Sequence, residues 1–130
     1  MDINKQSGEQ IVALMAQRRS HPRLEDPAPS DELMHSIFTA SLRAPDHMHL
    51  RPWRFLTIAG TDREFLGDLF AKDFKSNNPN ADAISLTSAA KKALRAPLIV
   101  VGIASYKDHD RVPKIEQSIA AAGVLHNIGM

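Results

Sequence analysis

The stretch Arg43-Ala44-Pro45-Asp46-His47-Met48-His49-Leu50-Arg51-Pro52-Trp53-Arg54-Phe55 decides how this 130-residue chain is read. A helix arriving from the amino-terminal side must stop at its start, because Pro45 disfavours helical geometry at Ala44 and has no N–H to donate. At its far end Trp53, Phe55, Thr57 and Ile58 read as a strand bounded by Pro52 and Gly60. Arg43, Asp46, His47, His49 and Arg51 lie between those limits on one short connection. Ionisable groups concentrated on a loop between rigid elements mark a candidate ligand site.

Upstream, Ser7 with Gln10 forms a plausible capping box, and Ile11, Leu14, Met15 and Arg18 follow at helical spacing. That spacing predicts a first helix over Glu9–Arg19, closed by Arg18-Arg19-Ser20-His21-Pro22-Arg23. Read from the residues alone, the arginines complement the helix dipole and Pro22 stops the helix. The same residues could also clamp an anion, since guanidinium groups bind phosphate bidentately and a serine hydroxyl adds a short hydrogen bond. After a proline-rich connector, Ser30 caps a second helix with Asp31 and Glu32 in its first turn. Leu33, Met34, Ile37, Phe38 and Ser41 line that helix's apolar face, and His35 falls off it as a solvated or rim histidine.

Downstream, Gly60-Thr61-Asp62 turns the chain. Thr61 with Glu64 suggests a second capping box, and Phe65, Leu66, Leu69 and Phe70 mark a third helix. Lys75–Asn80 reads as a polar loop, followed by an alanine-rich helix over Asp82–Leu94. Leu98–Ala104 is an unbroken apolar run rich in β-branched residues, expected as a strand buried on both faces. Pro113 suits a helix N1 position, and Ile115, Ile119–Leu125 and Ile128 suit a helix buried on most of its surface. Within it His126 is expected as a hydrogen-bonded core or interface histidine, and Gly129 as a C′ cap.

The composition narrows the classes. This length predicts one domain. A formal net charge of +1 gives no electrostatic reason to expect nucleic acid or a membrane surface, so an anionic partner has to be held by local arginines. The absence of cysteine excludes disulfides, thiolate metal sites and thiol catalysis. The stretch Met1–Gln6 lacks a signal peptide's apolar core, and no apolar run approaches the roughly 20 residues of a membrane span. A cytoplasmic protein is the expectation. Nucleophilic catalysis finds no Gly-x-Ser-x-Gly, and Ser20 beside His21 has no strand-turn-helix context. A metal site has His47, His49 and Asp46 to offer, but no clear fourth ligand, and Arg43 and Arg51 would crowd a cation with positive charge.

Arg43-Ala44-Pro45-Asp46-His47, followed by Pro52-Trp53-Arg54-Phe55 and preceded by Arg18-Arg19-Ser20, resembles the nitroreductase family of flavin enzymes from about Ile11 onward. The resemblance implies an α+β fold, an α/β sandwich with a central sheet flanked by helices, a buried central helix and a dimer. It implies FMN bound at the dimer interface by Arg18, Arg19, Ser20, Arg43 and His47, with no catalytic acid or base. It further implies NAD(P)H as electron donor and a nitroaromatic, quinone or similar small molecule as acceptor, in a ping-pong cycle. The chain departs from the family pattern at His49 and Arg51, where many members carry asparagine and glutamine; amides both donate and accept, whereas arginine only donates. Only two strands are evident, so the single domain 1–130 is expected to lack the family's C-terminal segment. The alternative reading is a truncated flavin-binding or dimerisation module that turns nothing over.

Overall fold

The computed structural model describes residues 5–130. The elements run α1 (Lys5–Gln17), α2 (Asp31–Ser41), a 3-10 turn (His47–His49), β1 (Trp53–Ala59), α3 (Asp62–Asn77), α4 (Ala83–Ala90), a second 3-10 turn (Lys91–Leu94), β2 (Leu98–Ala104) and α5 (Lys114–Ile128). The described residues form an α+β fold with five α-helices and a two-stranded sheet.

β1 and β2 pair antiparallel with Trp53 opposite Ala104 and Ala59 opposite Leu98. The Ser105 N–H extends the ladder by donating to Pro52 O at 2.8 Å. Helix α2 meets the sheet through Phe38 and Phe55, whose ring centroids lie 5.7 Å apart at a tilt of 44°. Helix α5 crosses the same sheet closely, since a Cβ on Gly102 would sit 3.2 Å from the Leu125 side chain. Small residues let α5 approach the end of α2: Ala44 Cβ lies 3.6 Å from where a Cβ on Gly123 would be. The Asn127 amide donates to Ser41 O at 3.3 Å across the same seam. Ala44, Ala120 and Val124 are buried there, so the start of the loop is clamped between two helices.

Several boundaries differ from expectation, each for a local reason. Ser7 lies inside α1, which is already helical at Lys5 and ends at Gln17. Ser30 caps α2 as expected, its Oγ accepting from Leu33 N at 3.2 Å. Thr61 makes no side-chain cap, because its backbone is already helical (φ −68°, ψ −23°) and the hydroxyl is not presented to the first turn. Arg63 ties that turn down instead, donating to Gly60 O at 3.1 Å and to Ala96 O at 2.8 Å. The expected loop at Lys75–Asn80 stays helical through Asn77 because amide side chains satisfy the last carbonyls. Asn77 Nδ2 bonds Asp73 O and Asn78 Nδ2 bonds Phe74 O, both at 3.0 Å. Asp82 caps α4 through Ser85 N at 2.8 Å, and the hydrogen bonds from Ser85 hold its carboxyl below the usual range. That cap is retained above the ordinary carboxyl pKa and is lost only as pH falls through the lowered value.

Pro113 is the N-cap of α5, not its N1 residue, with an extended backbone (ψ 158°). Gly129 closes the helix with right-handed geometry (φ −84°), so it is not a left-handed C′ cap. The buried stripe of α5 is Gln117, Ala120 and Val124, while Ile115 and Ile119 are 66% and 64% exposed. His126 is exposed within the chain. Gln117 staples the 105–113 connection: its Oε1 accepts from Lys107 N at 2.8 Å, and its Nε2 donates to Lys107 O and Val112 O at 2.9 and 3.0 Å. β2 is not buried on both faces: Leu98–Val101 and Ile103 are half-buried, and Gly102 and Ala104 are exposed. Among the described residues no third strand pairs with it.

The chain exposes 10202 Å², against roughly 6,800 Å² expected for a folded monomer of this mass. Many large apolar side chains are among what is exposed. Ile11, Val12, Leu14 and Met15 are all exposed on α1, and none of its residues from Glu9 to Gln17 is covered. No helix among the described residues is long and apolar enough to cross a membrane.

Candidate cofactor site

The loop between α2 and β1 is anchored at Ala44 and Pro52, both buried, and what lies between is conformationally costly. Met48, His49 and Arg51 have φ of 60°, 52° and 48°, a left-handed geometry that β-carbons resist. Each such residue costs on the order of 1 kcal/mol and persists only where surrounding contacts over-determine it. Two carboxylates do so here. Asp46 Oδ2 accepts from the Arg51 backbone N–H at 2.7 Å, closing the loop on itself. Glu116 Oε2, at the start of α5, lies 2.8 Å from His47 Nδ1. With the carboxylate accepting, Nδ1 carries the proton and Nε2 is left for another partner. Both side chains are about half exposed, so this pair orients the imidazole more than it stabilises the fold.

Against this loop lies a cavity of about 420 Å³ walled by Arg43, Ala44, Asp46, His49, Arg51 and Trp53. That volume suits a small ligand. Arg43 and Arg51 line it, and among the described residues neither side chain has a hydrogen bond or ion pair. Two uncompensated guanidiniums beside one carboxylate give the cavity a positive balance.

Of the five residues expected to bind a ligand, the structure brings only Arg43 to this cavity. His47 is turned to Glu116. Arg18, Arg19 and Ser20 form a separate group just past α1, where Arg18 Nη1 donates to Ser20 Oγ at 3.2 Å. Arg19 Nη1 donates to Ala16 O and Arg18 O, both at 3.0 Å, which is the helix-end role the residues alone suggest. A guanidinium has five N–H donors, so Arg19 keeps others for an anion. The donor set as a whole fits a phosphate-bearing flavin: guanidiniums and a hydroxyl for the phosphate and ribityl chain, and a cavity wall of indole and arginine. It fits only if the two groups are brought together.

Glu116 escaped the sequence reading, since it lies 69 positions from His47 and no motif links them. His49 and Arg51 were visible there as ionisable residues of the loop and as departures from the family pattern. Among the described residues no cluster of three or more His, Cys, Asp or Glu is gathered for a metal.

A family model described as the nitroreductase family matches residues 15–130. The chain is 35% identical over 110 residues to the Escherichia coli (strain K12) protein named "Putative NAD(P)H nitroreductase YdjA", covering 85% of this chain and 59% of that one. It is 31% identical over 119 residues to a Haemophilus influenzae protein named "Putative NAD(P)H nitroreductase", covering 90% of this chain and 63% of that one. The chain thus spans about three-fifths of the length of these curated relatives. Its fold resembles that of a nitroreductase-like family protein from Bacillus cereus, with a TM-score of 0.76 at 22% identity, over 92% of this chain and 62% of that one. A nitroreductase family protein from Clostridium novyi NT aligns with a TM-score of 0.57 at 19% identity, over 91% of this chain and 62% of that one.

Proposed function

The chain belongs to the nitroreductase family, and from that premise we propose that it is an FMN-dependent oxidoreductase passing electrons from NAD(P)H to a nitroaromatic, quinone or similar acceptor by a ping-pong route. The observation that carries this reading is the cavity on the Arg43–Trp53 loop, whose lining includes Arg43, Arg51 and Trp53. FMN, when bound, supplies the hydride relay between donor and acceptor. The chain's own residues bind and orient. Arg18, Arg19 and Ser20 hold the phosphate and ribityl end, Arg43 adds positive charge, and His47 offers Nε2 from an imidazole held by Glu116. No side chain acts as an acid or base.

The site requires a homodimer. Within one chain, none of Arg18, Arg19 and Ser20 lines the cavity at Arg43, and α1 leaves its apolar residues uncovered. Pairing two copies buries those residues and brings the two donor groups to one cofactor at the interface. Neither nucleic acid nor a membrane is a partner in this account, and the cytoplasm is its setting.

A second reading rests on the two-stranded sheet: the chain dimerises and holds flavin without turnover. Spectroscopy of the FMN-incubated, desalted protein combined with NAD(P)H oxidation in the presence of an acceptor separates the two. A yellow protein that oxidises NAD(P)H is the reductase, and a yellow inert one is the module. A colourless protein overturns both.

A further inference from the structure

A second cavity, of about 380 Å³, lies at the connection between β2 and α5 and shares no lining residue with the one on the Arg43–Trp53 loop. Its lining includes Tyr106, Lys107, Asp108, His109, Lys114 and Gln117, none of which the proposed flavin chemistry uses. Gln117 is 2% exposed, and its side chain holds this connection through Lys107 N, Lys107 O and Val112 O. A buried amide satisfied in this way fixes the path of a loop. The functional groups are placed from that frame. His109 Nδ1 accepts from the Arg111 N–H at 3.2 Å, so in the neutral ring Nε2 carries the proton and is a donor. Lys114 Nζ lies 5.8 Å from the centroid of the Tyr106 ring. That ring is itself held, its hydroxyl 2.8 Å from Ser118 Oγ, which in turn donates to Lys114 O at 3.0 Å. Among the described residues neither Lys107 nor Lys114 forms an ion pair, and Asp108 is the one carboxylate in the lining. Two ammoniums and an imidazole N–H thus stand against a single negative charge.

We propose that this cavity is a second ligand site, for an oxyanion of the phosphate class. Ammonium groups act as point charges and meet a tetrahedral oxyanion from separate directions, whereas a planar carboxylate is matched by the guanidinium fork, which this lining lacks. The volume admits a small phosphate monoester as well as the free anion. The proposal stands apart from the flavin reading, since different residues hold the ligand and no electron transfer is involved.

The test titrates inorganic phosphate into the full chain without FMN, at low ionic strength and constant pH. Wild type is compared with K107Q/K114Q and with R18Q/R19Q, each checked for fold by circular dichroism. Calorimetry gives the affinity, and the His109 ring signal in NMR, identified by its loss in H109Q, reports occupancy of this cavity. Phosphate is expected to shift that signal saturably in wild type and in R18Q/R19Q alike. K107Q/K114Q should weaken the binding by about tenfold or more, the worth of at least one charge-assisted contact. Adenosine 2′-monophosphate is titrated beside phosphate: tighter binding marks a nucleotide-borne phosphate as the ligand, and equal or weaker binding marks the free anion. FMN retention in K107Q/K114Q should match wild type; its loss there would assign the cavity to the cofactor and overturn the proposal. A His109 signal that does not move, or that moves equally in wild type and K107Q/K114Q, overturns it too, as does phosphate binding abolished by R18Q/R19Q instead.

Discussion

Ile119→Asp should dissociate the proposed homodimer. Ile119 and Ile115 lie one turn apart on α5 and are 64% and 66% exposed in the single chain. Full burial of an isoleucine contributes about 1.5–3 kcal/mol. With roughly two-thirds of the side chain still to be covered, about 1–2 kcal/mol is available at Ile119 in each protomer. A two-fold interface presents the residue twice, which doubles the loss to about 2–4 kcal/mol. An aspartate forced into the same apolar contact adds a desolvation cost of at least about 2 kcal/mol. A total of about 4 kcal/mol or more corresponds to a dissociation constant raised by roughly three orders of magnitude. Sedimentation velocity across a concentration series measures it, with far-UV circular dichroism showing that the protomer remains folded. A variant that dimerises within tenfold of wild type would refute the argument that this face of α5 is covered by a second copy.

Other expectations follow from single contacts. Arg19→Ala should weaken FMN binding by about tenfold or more, the worth of one charge-assisted hydrogen bond, while His35→Ala, exposed on α2, should leave it within about twofold. Equal effects would leave Arg19 as a helix-end charge alone. Gln117→Leu strands Lys107 N, Lys107 O and Val112 O, and should lower stability by at least about 2 kcal/mol, or about 7 °C in melting temperature by calorimetry. Gly67→Ala places a Cβ 2.7 Å from the Ala90 carbonyl oxygen, so α3 and α4 must separate. Overpacking of about 1–3 kcal/mol should outweigh the roughly 1 kcal/mol gained in helix propensity, and a melting temperature above wild type would contradict that balance.

What could be read in advance was whatever is local. The apolar run Leu98–Ala104 is β2 residue for residue, and Ser30 caps α2, because strand hydrophobicity and N-cap hydrogen bonds act over a few neighbouring positions. Thr61 shows the limit of that logic: the capping-box residues are present, but Gly60 at φ 55° and Arg63 bonded to Ala96 O set the turn differently. Gln117 was hidden in an apolar helix, since its partners lie on a loop whose path no periodicity reveals. β2 reads as doubly buried from its composition, yet burial depends on neighbours, and the described residues supply a single pairing strand. At the site, motif residues located the loop and Arg43. Arg51 and His49, read beforehand as ionisable residues of that loop, do line the cavity, whereas the turn of His47 toward Glu116 is a tertiary fact without a sequence signal.

The account stands most directly on one titration: FMN added to the purified protein, followed by flavin fluorescence and by the visible spectrum after desalting. Arg18, Arg19, Ser20, Arg43 and His47 acting together predict saturable binding of one FMN per chain, retained on desalting and displaced as FMN, not FAD, on heating. A fully folded preparation that stays flavin-free after incubation with excess FMN would contradict it.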